Sequence, residues 1–458
     1  MAGKGGEKLA IDGGPKAFAG RTGVGQPKVG VEDFLAIAER FQFSPPALER
    51  LRAAVSDADL PAGGPHLGRY YGSASPSKGE QFEGLAREVF QVKHAFPCSS
   101  GTGALHAAFV AAGVGPGTEV ICPALGFAAT AMAVVLAGGV PVFCDVDESL
   151  HLDPAKLEGC VTPRTVAIAP THHWGGVTDM APVLALARRR GLKVVEDCAQ
   201  APGATYRGRP VGSIGDLGCF SISCYKIIGG GEGGMVVSND AGLFERACQL
   251  AEGGGLWRNP RFAPPRHPGE LFVGTNYRLS ELESAINVVQ LRKLEGVVSR
   301  HRQVSRRICG QLADFAEVTP QKLNDREGVI GYMLRFFPAT CELSACIVKA
   351  LQAEGIGAGT RGSAHDPDWH MARDMFPIVL KPGSTAGGSV WDDPRYRQRG
   401  GQVSYAPEQW PVAVDLFGRE VSIGFDQWWN DDDCDRVAAG INKVLSAYCT
   451  KRAAKGNW

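Results

Sequence analysis

The sequence has no excess of charge of either sign. Its 48 lysine and arginine residues balance 48 aspartate and glutamate residues, and no long basic block occurs along the chain. Nucleic acids and anionic membrane surfaces bind proteins through basic surfaces. The composition therefore argues against either of them as an obligatory partner.

Long apolar runs are also missing. The most apolar segment, ATAMAVVLAGGVPVF at 129–143, is shorter than the about 20 residues that a membrane-spanning helix needs, and glycines interrupt it. The N-terminal MAGKGGEKLAIDGGPKAF has neither a long apolar core nor a convincing cleavage site. We therefore expect no secretion signal and no membrane partner.

Pairs of the C-x-x-C type are absent, although the chain has 13 cysteines. Several of them, such as Cys98, Cys122 and Cys219, lie in or beside apolar runs that resemble strands. Reduced, buried thiols fit this distribution better than a disulfide framework or a zinc site. The sequence therefore predicts a cytoplasmic protein without a bound metal.

Short apolar runs alternate with helical patterns from Glu80 onwards. Seven strand candidates lie between residues 94 and 238, namely HAFPCSS, EVICPA, VPVFCDVD, TVAIAPTHH, KVVEDCAQ, LGCFSIS and GGMVVS. Several are apolar throughout, which is typical of strands buried on both faces. The pattern predicts an α/β fold with a mainly parallel seven-stranded sheet and helices on both sides.

Three regions are predicted along the chain. Residues 1–45 form an N-terminal arm, within a stretch rich in proline and glycine that extends to about residue 75. Residues 46–265 form the large α/β domain, and residues 266–458 form a smaller C-terminal α+β domain. We see no internal repeats.

Two segments of the C-terminal region have distinct patterns. The segment Leu279–Phe315 indicates one or two long amphipathic helices between the domains. Residues 357–405 form an irregular insertion that contains His365 and His370. Loops of this length are more often functional or mobile than filler.

The stretch SISCYKIIGGGEGGMVVS, at 221–238, contains a glycine pattern that suggests a nucleotide loop. Gly229, Gly231 and Gly234 have the G-x-G-x-x-G spacing that cradles dinucleotide phosphates. In a true fingerprint the glycines follow a strand and begin a helix. Here they follow a lysine and lead into the strand-like MVVS, which disfavours dinucleotide binding.

Three other segments carry residues suited to chemistry. Cys98–Gly103 lies between a strand and a helix, where it could bind a phosphate or only cap the helix. Glu196 and Asp197 end a buried strand, where a carboxylate could form a cap or a salt bridge, or hold a pyridine nitrogen. Lys226 has apolar neighbours that favour a neutral, imine-forming amine, although a surface lysine is the simpler alternative.

The order of cradle, acid and lysine matches fold-type I enzymes of pyridoxal 5′-phosphate (PLP). The sequence resembles the DegT and StrS family of sugar and cyclitol aminotransferases, from about Lys8 to about Leu294. The resemblance is densest in SSGTGALHAA, GPGTEVICPALGFAAT, EDCAQAPGATYRGRPVGSIGD, FSISCYKIIGGGEGGMV and GTNYRLSELESAI. The residues beyond Leu294 match less clearly.

The resemblance implies roles for four residues around the cofactor ring. Lys226 forms an imine with the cofactor and acts as the catalytic base and acid. Asp197 pairs with the pyridinium nitrogen, and Gln200 contacts the ring hydroxyl. Phe127 stacks on the ring, although a core aromatic is a substantial alternative for this residue.

The resemblance also implies a phosphate site. Gly101, Thr102 and Ser221 hold the phosphate, and Asn276 reaches the phosphate of the neighbouring subunit. His172, in THHWGG, occupies a family histidine position, but a hydrogen-bonded core histidine fits it at least as well.

The resemblance implies a homodimeric aminotransferase. It would move an amino group from glutamate or glutamine to a keto sugar, a cyclitol or a related small ring, in amino-sugar or secondary-metabolite biosynthesis. One alternative is another PLP reaction, such as dehydration or bond formation. Dehydratase relatives replace the lysine with histidine, so Lys226 argues against that route. The other alternative is a PLP-binding regulator without turnover, which the intact set of site residues disfavours.

The substrate is left open by three departures from the family pattern. Cys224 and Tyr225 precede the lysine where many relatives carry other residues. SIGFDQWW stands near the C-terminus where relatives have a leucine-proline-leucine-histidine segment, and the 357–405 region differs as well. The candidates for a substrate pocket, each equally well explained by a structural role, are Arg278, Tyr70, Tyr71, His365, His370 and Arg361.

Overall fold

The computed structural model describes residues 8–20, 22–23, 25–70, 76–361, 367–384, 388–453 and 458. The chain divides into two compact units, Met1–Ser73 and Ala74–Trp458. This division does not test the domain boundaries predicted at residues 45 and 265, which remain predictions. In the described ranges, none of the helices combines the length and the apolar character needed to cross a bilayer.

The first unit contains two helices, α1 (Val31–Arg40) and α2 (Pro45–Ala54). Helix α2 starts with prolines at its first two positions. Proline is tolerated there because the first N–H groups of a helix have no partner within it. An ion pair of 3.0 Å between Arg52 and Glu32 links the two helices.

The second unit contains a seven-stranded sheet. Its strands and a short hairpin (β6 and β7) follow in chain order: β1 (His94–Cys98), β2 (Glu119–Pro123), β3 (Val140–Cys144), β4 (Thr165–Ile168), β5 (Lys193–Asp197), β6 (Thr205–Tyr206), β7 (Arg209–Pro210), β8 (Leu217–Ser221) and β9 (Gly234–Ser238). The sheet order is β1-β9-β8-β5-β4-β2-β3. Only β9 runs against its neighbours. The predicted mainly parallel sheet of seven strands is therefore confirmed.

Helices cover both faces of this sheet. They are α3 (Lys78–Phe90), α4 (Gly101–Ala111), α5 (Ala129–Leu136), α6 (Pro154–Leu157), α7 (Met180–Arg190) and α8 (Ala241–Ala251). Successive strand residues point to opposite faces. Val120 packs with α4 and α5, whereas Ile121 packs with α3 and α7. Both positions are buried, which explains why the strands are apolar throughout.

One long helix, α9 (Glu281–Cys309), connects this domain to the next. Val288 and Leu291 in its first half belong to the core of the large sheet. Val304 and Ile308 in its second half belong to a separate C-terminal core. The amphipathic segment is thus a single helix that joins two cores, as the sequence pattern indicated.

The C-terminal domain has its own antiparallel sheet. Its strands are β10 (Val318–Pro320), β11 (Met333–Pro338), β12 (Ala358–Gly359) and β13 (Val421–Gly424), in the order β10-β11-β13-β12. The remaining helices are α10 (Cys341–Ala353), α11 (Phe376–Val379), α12 (Pro394–Gln398), α13 (Pro411–Arg419) and α14 (Asp431–Tyr448). An antiparallel sheet flanked by helices thus gives this lobe an α+β architecture.

Apart from strand β12, the described part of the 357–405 insertion contains only short helices, and its buried aromatic residues pack on the large sheet. Trp391, Tyr396 and Tyr405 are buried in the same core as Phe143 of β3. Tyr405 donates a hydrogen bond from its hydroxyl to the carbonyl of Pro141 at 2.7 Å. Because β3 is an edge strand, the hydroxyl gives this carbonyl a hydrogen-bond partner on the side of β3 where no other strand lies.

Candidate active site

A cavity of about 810 Å³ lies at the carboxyl ends of the parallel strands. Seven of the eight residues predicted to bind a cofactor line it, namely Gly101, Thr102, Phe127, Asp197, Gln200, Ser221 and Lys226. The eighth, Asn276, is exposed and accepts a hydrogen bond from the backbone N–H of Arg278 at 3.1 Å. Segments more than 100 residues apart in the sequence thus converge at one sheet edge.

One end of the cavity is the start of α4. Ser100 caps the helix by accepting a hydrogen bond from the Gly103 N–H at 3.0 Å. The N–H groups of Gly101 and Thr102 are in the first turn, where a helix offers them no partner. A Cβ on Gly101 would lie 2.7 Å from the Cβ of Ser221, so only glycine lets the serine approach so closely. This end suits an anion.

Asp197, the last residue of β5, faces the cavity and is only 4% exposed. Its Oδ2 accepts a hydrogen bond from Thr130 Oγ1 at 2.5 Å, and its Oδ1 accepts one from the Ala199 N–H at 3.0 Å. Sequence reasoning missed Thr130. The signal that could have found it is a single hydroxyl side chain inside the otherwise apolar helix α5.

The neighbouring Glu196 has a structural role. Its carboxylate accepts hydrogen bonds from the N–H groups of Gly212, Ile214 and Gly215 at 2.9, 2.8 and 2.6 Å. It also lies 3.0 Å from Nε2 of His172, whose Nδ1 accepts from the Thr178 N–H at 3.2 Å. Both side chains are fully buried, so His172 is a hydrogen-bonded core histidine.

Lys226 lies in the turn between β8 and β9. Burial lowers the pKa of its amine, and the charge of Asp197 only partly opposes that shift. The glycines that follow allow the turn to fold back tightly, because a Cβ on Gly229 would lie 2.0 Å from the carbonyl oxygen of Ser223. Tyr225, by contrast, is 90% exposed. The lysine is therefore a desolvated amine at the cavity wall.

Gln200 is held by several backbone groups. Its side-chain Oε1 accepts a hydrogen bond from the Trp174 N–H at 3.1 Å. Its backbone carbonyl accepts hydrogen bonds from the Gly175 N–H at 3.0 Å and from the Tyr332 hydroxyl at 3.2 Å. Trp174 in turn stacks against the buried Arg335, whose Cζ lies 3.3 Å from the ring centroid.

The residues proposed for a substrate pocket lie in different surroundings. His370 lines the cavity, 3.2 Å from Gln200, and Arg361 forms an ion pair with Asp368. Arg278 instead pairs with Glu252 at 2.6 Å. Tyr70 belongs to the first unit, and two further candidates, Tyr71 and His365, lie outside the described residues.

Some cavity residues were not predicted from the sequence. His301 and Tyr332 line the cavity from α9 and from the start of the small domain. Burial lowers the pKa of His301, and its Nδ1 has no hydrogen-bond partner among the described residues. The signal for His301 is a histidine within the apolar stripe of α9, next to Val298 and Val304.

The residues of the cavity fit a PLP molecule. The start of α4 with Ser221 suits a phosphate, and the buried carboxylate of Asp197 suits a protonated ring nitrogen. Thr171 Oγ1 lines the same cavity, is buried, and has no hydrogen-bond partner within the part of the chain that is described. Such an orphaned polar atom is expected where a polar ligand binds.

A model of the DegT/DnrJ/EryC1/StrS aminotransferase family matches residues 74–365. The GDP-perosamine synthase of Caulobacter vibrioides is 45% identical over 226 residues, which are 49% of this chain and 59% of that protein. The UDP-N-acetyl-3-dehydro-alpha-D-glucosamine 3-aminotransferase of Acidithiobacillus ferrooxidans is 40% identical over 299 residues, 64% of this chain and 77% of that protein.

The L-glutamine:2-deoxy-scyllo-inosose aminotransferase of Streptoalloteichus tenebrarius is 43% identical over 209 residues, 44% of this chain and 49% of that protein. The matches thus span about half to three quarters of these relatives' lengths.

Solved structures have the same fold. The aminotransferase from Psychrobacter cryohalolentis superimposes with a TM-score of 0.67 at 25% identity, over 83% of this chain and 93% of that chain. The NtdA protein from Bacillus subtilis, solved with bound cofactor PMP, has a TM-score of 0.63 at 23% identity, over 81% of this chain and 78% of that chain.

Proposed function

We propose an amino-transfer activity for this chain, which belongs to the DegT/DnrJ/EryC1/StrS aminotransferase family. The cofactor is PLP, the amino donor is glutamate or glutamine, and the acceptor is the keto group of a sugar or cyclitol. One observation carries the proposal. Lys226, Asp197 and the first turn of α4 come from three distant segments and line a single cavity.

The acceptor class follows from the relatives. By their names, two of them handle nucleotide-linked sugars, and the third transfers an amino group from L-glutamine to an inosose. Each of the three names thus refers to a sugar or an inosose ring. We extend this class, and no single member of it, to the present chain.

The residues around the cofactor have separate tasks. PLP, when bound, supplies an aldehyde carbon and an electron-withdrawing ring. Gly101, Thr102 and Ser221 bind its phosphate. The Asp197 carboxylate, fixed by Thr130, holds a proton at the ring nitrogen. These are the tasks that this chain's geometry and charges support.

Lys226 performs the proton transfers. Burial lowers the pKa of its amine, which favours the neutral form that a nucleophile and base must have. With PLP bound, the freed Nζ would take the proton from the substrate carbon and return it to the former aldehyde carbon of the cofactor, on the other side of the transferred nitrogen. The same atom thus acts as general base and then as general acid.

The outer part of the cavity combines apolar walls with free polar atoms. Phe127, Trp174 and Phe425 contribute apolar surface that excludes water. His301 Nδ1 and Thr171 Oγ1 are buried and offer hydrogen bonds to a polar ligand. A ring that carries several hydroxyl groups uses both kinds of surface.

The active enzyme is proposed to be a homodimer with shared sites. Asn276 is exposed in the chain and carries the family's phosphate-contacting amide. In a dimer with two-fold symmetry, the same residue of each subunit can reach the site of the other. Asn276 then completes the phosphate site of the partner subunit.

The experiment that tests the proposal compares the wild type with Lys226→Ala after PLP is added. The wild type should acquire a visible absorption band from the covalent bond with Lys226. Glutamate or glutamine should then bleach the band as the amino group is transferred to the cofactor. Lys226→Ala should show neither effect. Bleaching by the variant, or no bleaching of the wild type with glutamate, glutamine or alanine, would refute the proposed function.

A further inference from the structure

We propose that His370, supported by Asp368, is a positioning residue that orients the carboxamide of Gln200 toward the ring hydroxyl of the cofactor. The inference rests on the proposed function, since it concerns the PLP site. Both residues belong to the 357–405 insertion; His370 lines the cavity, and Asp368 contacts the imidazole at Nδ1.

The first step concerns the orientation of Gln200. Its Oε1 accepts a hydrogen bond from the Trp174 N–H at 3.1 Å, and a backbone N–H can only donate. The other end of the carboxamide is therefore the NH₂ group. This group faces the cavity and lies 3.2 Å from Nε2 of His370.

The second step concerns the proton on His370. Because the Gln200 NH₂ group can only donate, Nε2 of His370 must accept. The ring proton is then on Nδ1, which lies 2.8 Å from Oδ1 of Asp368. The backbone N–H of His370 donates to the same Oδ1 at 2.8 Å. Asp368 thus selects the tautomer that accepts from Gln200.

Asp368 stays ionised while it does so. Burial raises the pKa of its carboxyl, but the hydrogen bonds from His370 and the Arg361 guanidinium outweigh this and lower the pKa to about 2. A carboxylate at this place fixes the tautomer of the neutral imidazole.

The third step concerns how rigidly His370 is held. Residues 369–372 run alongside the loop that carries Phe127. The N–H groups of Gly126 and Ala128 donate to the carbonyls of His370 and Trp369, both at 2.9 Å. The imidazole ring is 5.3 Å from the Phe127 ring and 5.4 Å from the His173 ring. Backbone pairing and ring packing therefore fix the acceptor in space.

The consequence is that one N–H of Gln200 bonds to His370 and the other is left for the ligand. A hydrogen bond donated to the ring oxygen of PLP stabilises the negative charge on that oxygen. This charge would otherwise stabilise the protonated nitrogen of the lysine–cofactor bond. The donor therefore lowers the pKa of that nitrogen. Among the described residues, the other charged or titratable groups around the His370–Asp368 pair include Asp374, Glu420, His173, Lys226, Asp197 and Arg335.

The test is a pH titration of the visible band in PLP-loaded wild type, His370→Phe and His370→Gln. Phenylalanine removes the acceptor and keeps the ring, and we expect the pKa of the band to rise by about one unit. Glutamine offers an oxygen close to the position of Nε2, and we expect the wild-type pKa. His94→Phe is the control, because His94 stacks on Phe244 at the opposite end of β1 from the cavity.

The outcomes separate the inference from the proposed function. A raised pKa in His370→Phe alone supports the positioning role. An unchanged pKa in His370→Phe overturns it. An equal rise in His370→Gln or His94→Phe also overturns it, since the missing acceptor would then not be the cause. If the wild type acquires no visible band with PLP, the proposed function itself fails. Thermal unfolding of each variant reports whether it is folded.

Discussion

The carboxylate of Asp197 is directed into the cavity by two hydrogen bonds. The Ala199 N–H is fixed by the backbone, whereas Thr130 Oγ1 depends on a side chain of α5. A hydrogen bond to a charged group contributes about 1.5–3 kcal/mol. The hydroxyl of Thr130 should therefore matter for any step that needs Asp197 in one orientation.

Thr130→Val should slow the transfer of the amino group to the cofactor about tenfold or more, because the loss of one such bond corresponds to that factor. Thr130→Ser is the matched control, because it keeps the hydroxyl and should stay close to the wild-type rate. Stopped-flow measurement of the band bleached by glutamate or glutamine gives the rate constant. Equal rates for the valine and serine variants would contradict the expected role of the hydroxyl.

At the scale of elements, Asp145 links the large sheet to α13. It follows β3, is buried, and accepts hydrogen bonds from the N–H groups of Val412 and Ala413 at 3.2 and 2.9 Å. It also forms an ion pair of 2.6 Å with Lys156. A residue remote in sequence thus caps the first turn of α13.

Asp145→Ala should lower the free energy of unfolding by about 3 kcal/mol, because it removes the acceptor of three backbone N–H groups, those of Val146, Val412 and Ala413, and the partner of a cation. The matched control is Asp153→Ala. Asp153 caps the short helix α6 through the Ala155 N–H alone, at 2.8 Å, and should cost about 1 kcal/mol. Urea denaturation measures both values. Equal losses would mean that Asp145 acts only as a local cap.

The strands could be predicted because their signal is local. Every residue of β2, β8 and β9 is buried, and a continuous apolar run records this burial in the sequence. The 357–405 insertion has no such continuous apolar run. Tyr405 and Trp391 are buried because β3 offers them an edge, and that contact depends on the tertiary fold.

The candidate site was likewise predicted only in part. The resemblance identified seven residues that share the cavity, because each lies in a short motif. Thr130 and His301 lie in helices where the apolar periodicity dominates the pattern. Their function depends on which strand or domain the helix faces, and no local pattern contains that information. The predicted role of Asn276 concerns a second subunit and stays a prediction.

At the scale of the whole molecule, buried histidines make stability depend on pH. Burial lowers the pKa of His151 to about 3, from an ordinary value of 6.5, and that of His173 well below 6.5. The unfolded chain therefore binds protons between these values that the folded chain does not. The stability conferred by the neutral rings is complete above pH 6.5 and is lost as the pH falls toward 3.

The free energy of unfolding should fall below pH 6.5 by up to about 1.4 kcal/mol per pH unit for each of the two histidines. Urea denaturation at a series of pH values measures this slope. His151→Gln keeps an acceptor for the His173 N–H, which lies 3.2 Å from Nε2 of His151, and should give a shallower slope. An identical slope in the variant would assign the acid sensitivity to other groups.

A shared active site predicts complementation between two inactive variants. Lys226→Ala and Asn276→Ala should each be strongly impaired as pure proteins. After they are unfolded together and refolded, random pairing makes about half of the dimers mixed. Each mixed dimer has one intact site of two, so the mixture should recover about a quarter of the wild-type activity. Turnover of a keto substrate or donor half-reaction rates measure it. No recovery in a mixture shown to contain mixed dimers would mean that Asn276 serves its own subunit.

The pairing of residues 124–128 with residues 369–372 also has a consequence during synthesis on the ribosome. Leu125 and Met371 form a backbone bridge although they lie 246 positions apart in the sequence. At about 5–20 residues per second, translation separates their emergence by on the order of tens of seconds. During that interval the Phe127 loop has been synthesised, whereas residues 369–372, which pair with it, have not. The backbone groups of that loop therefore stay without these hydrogen-bond partners until residues 369–372 have been made.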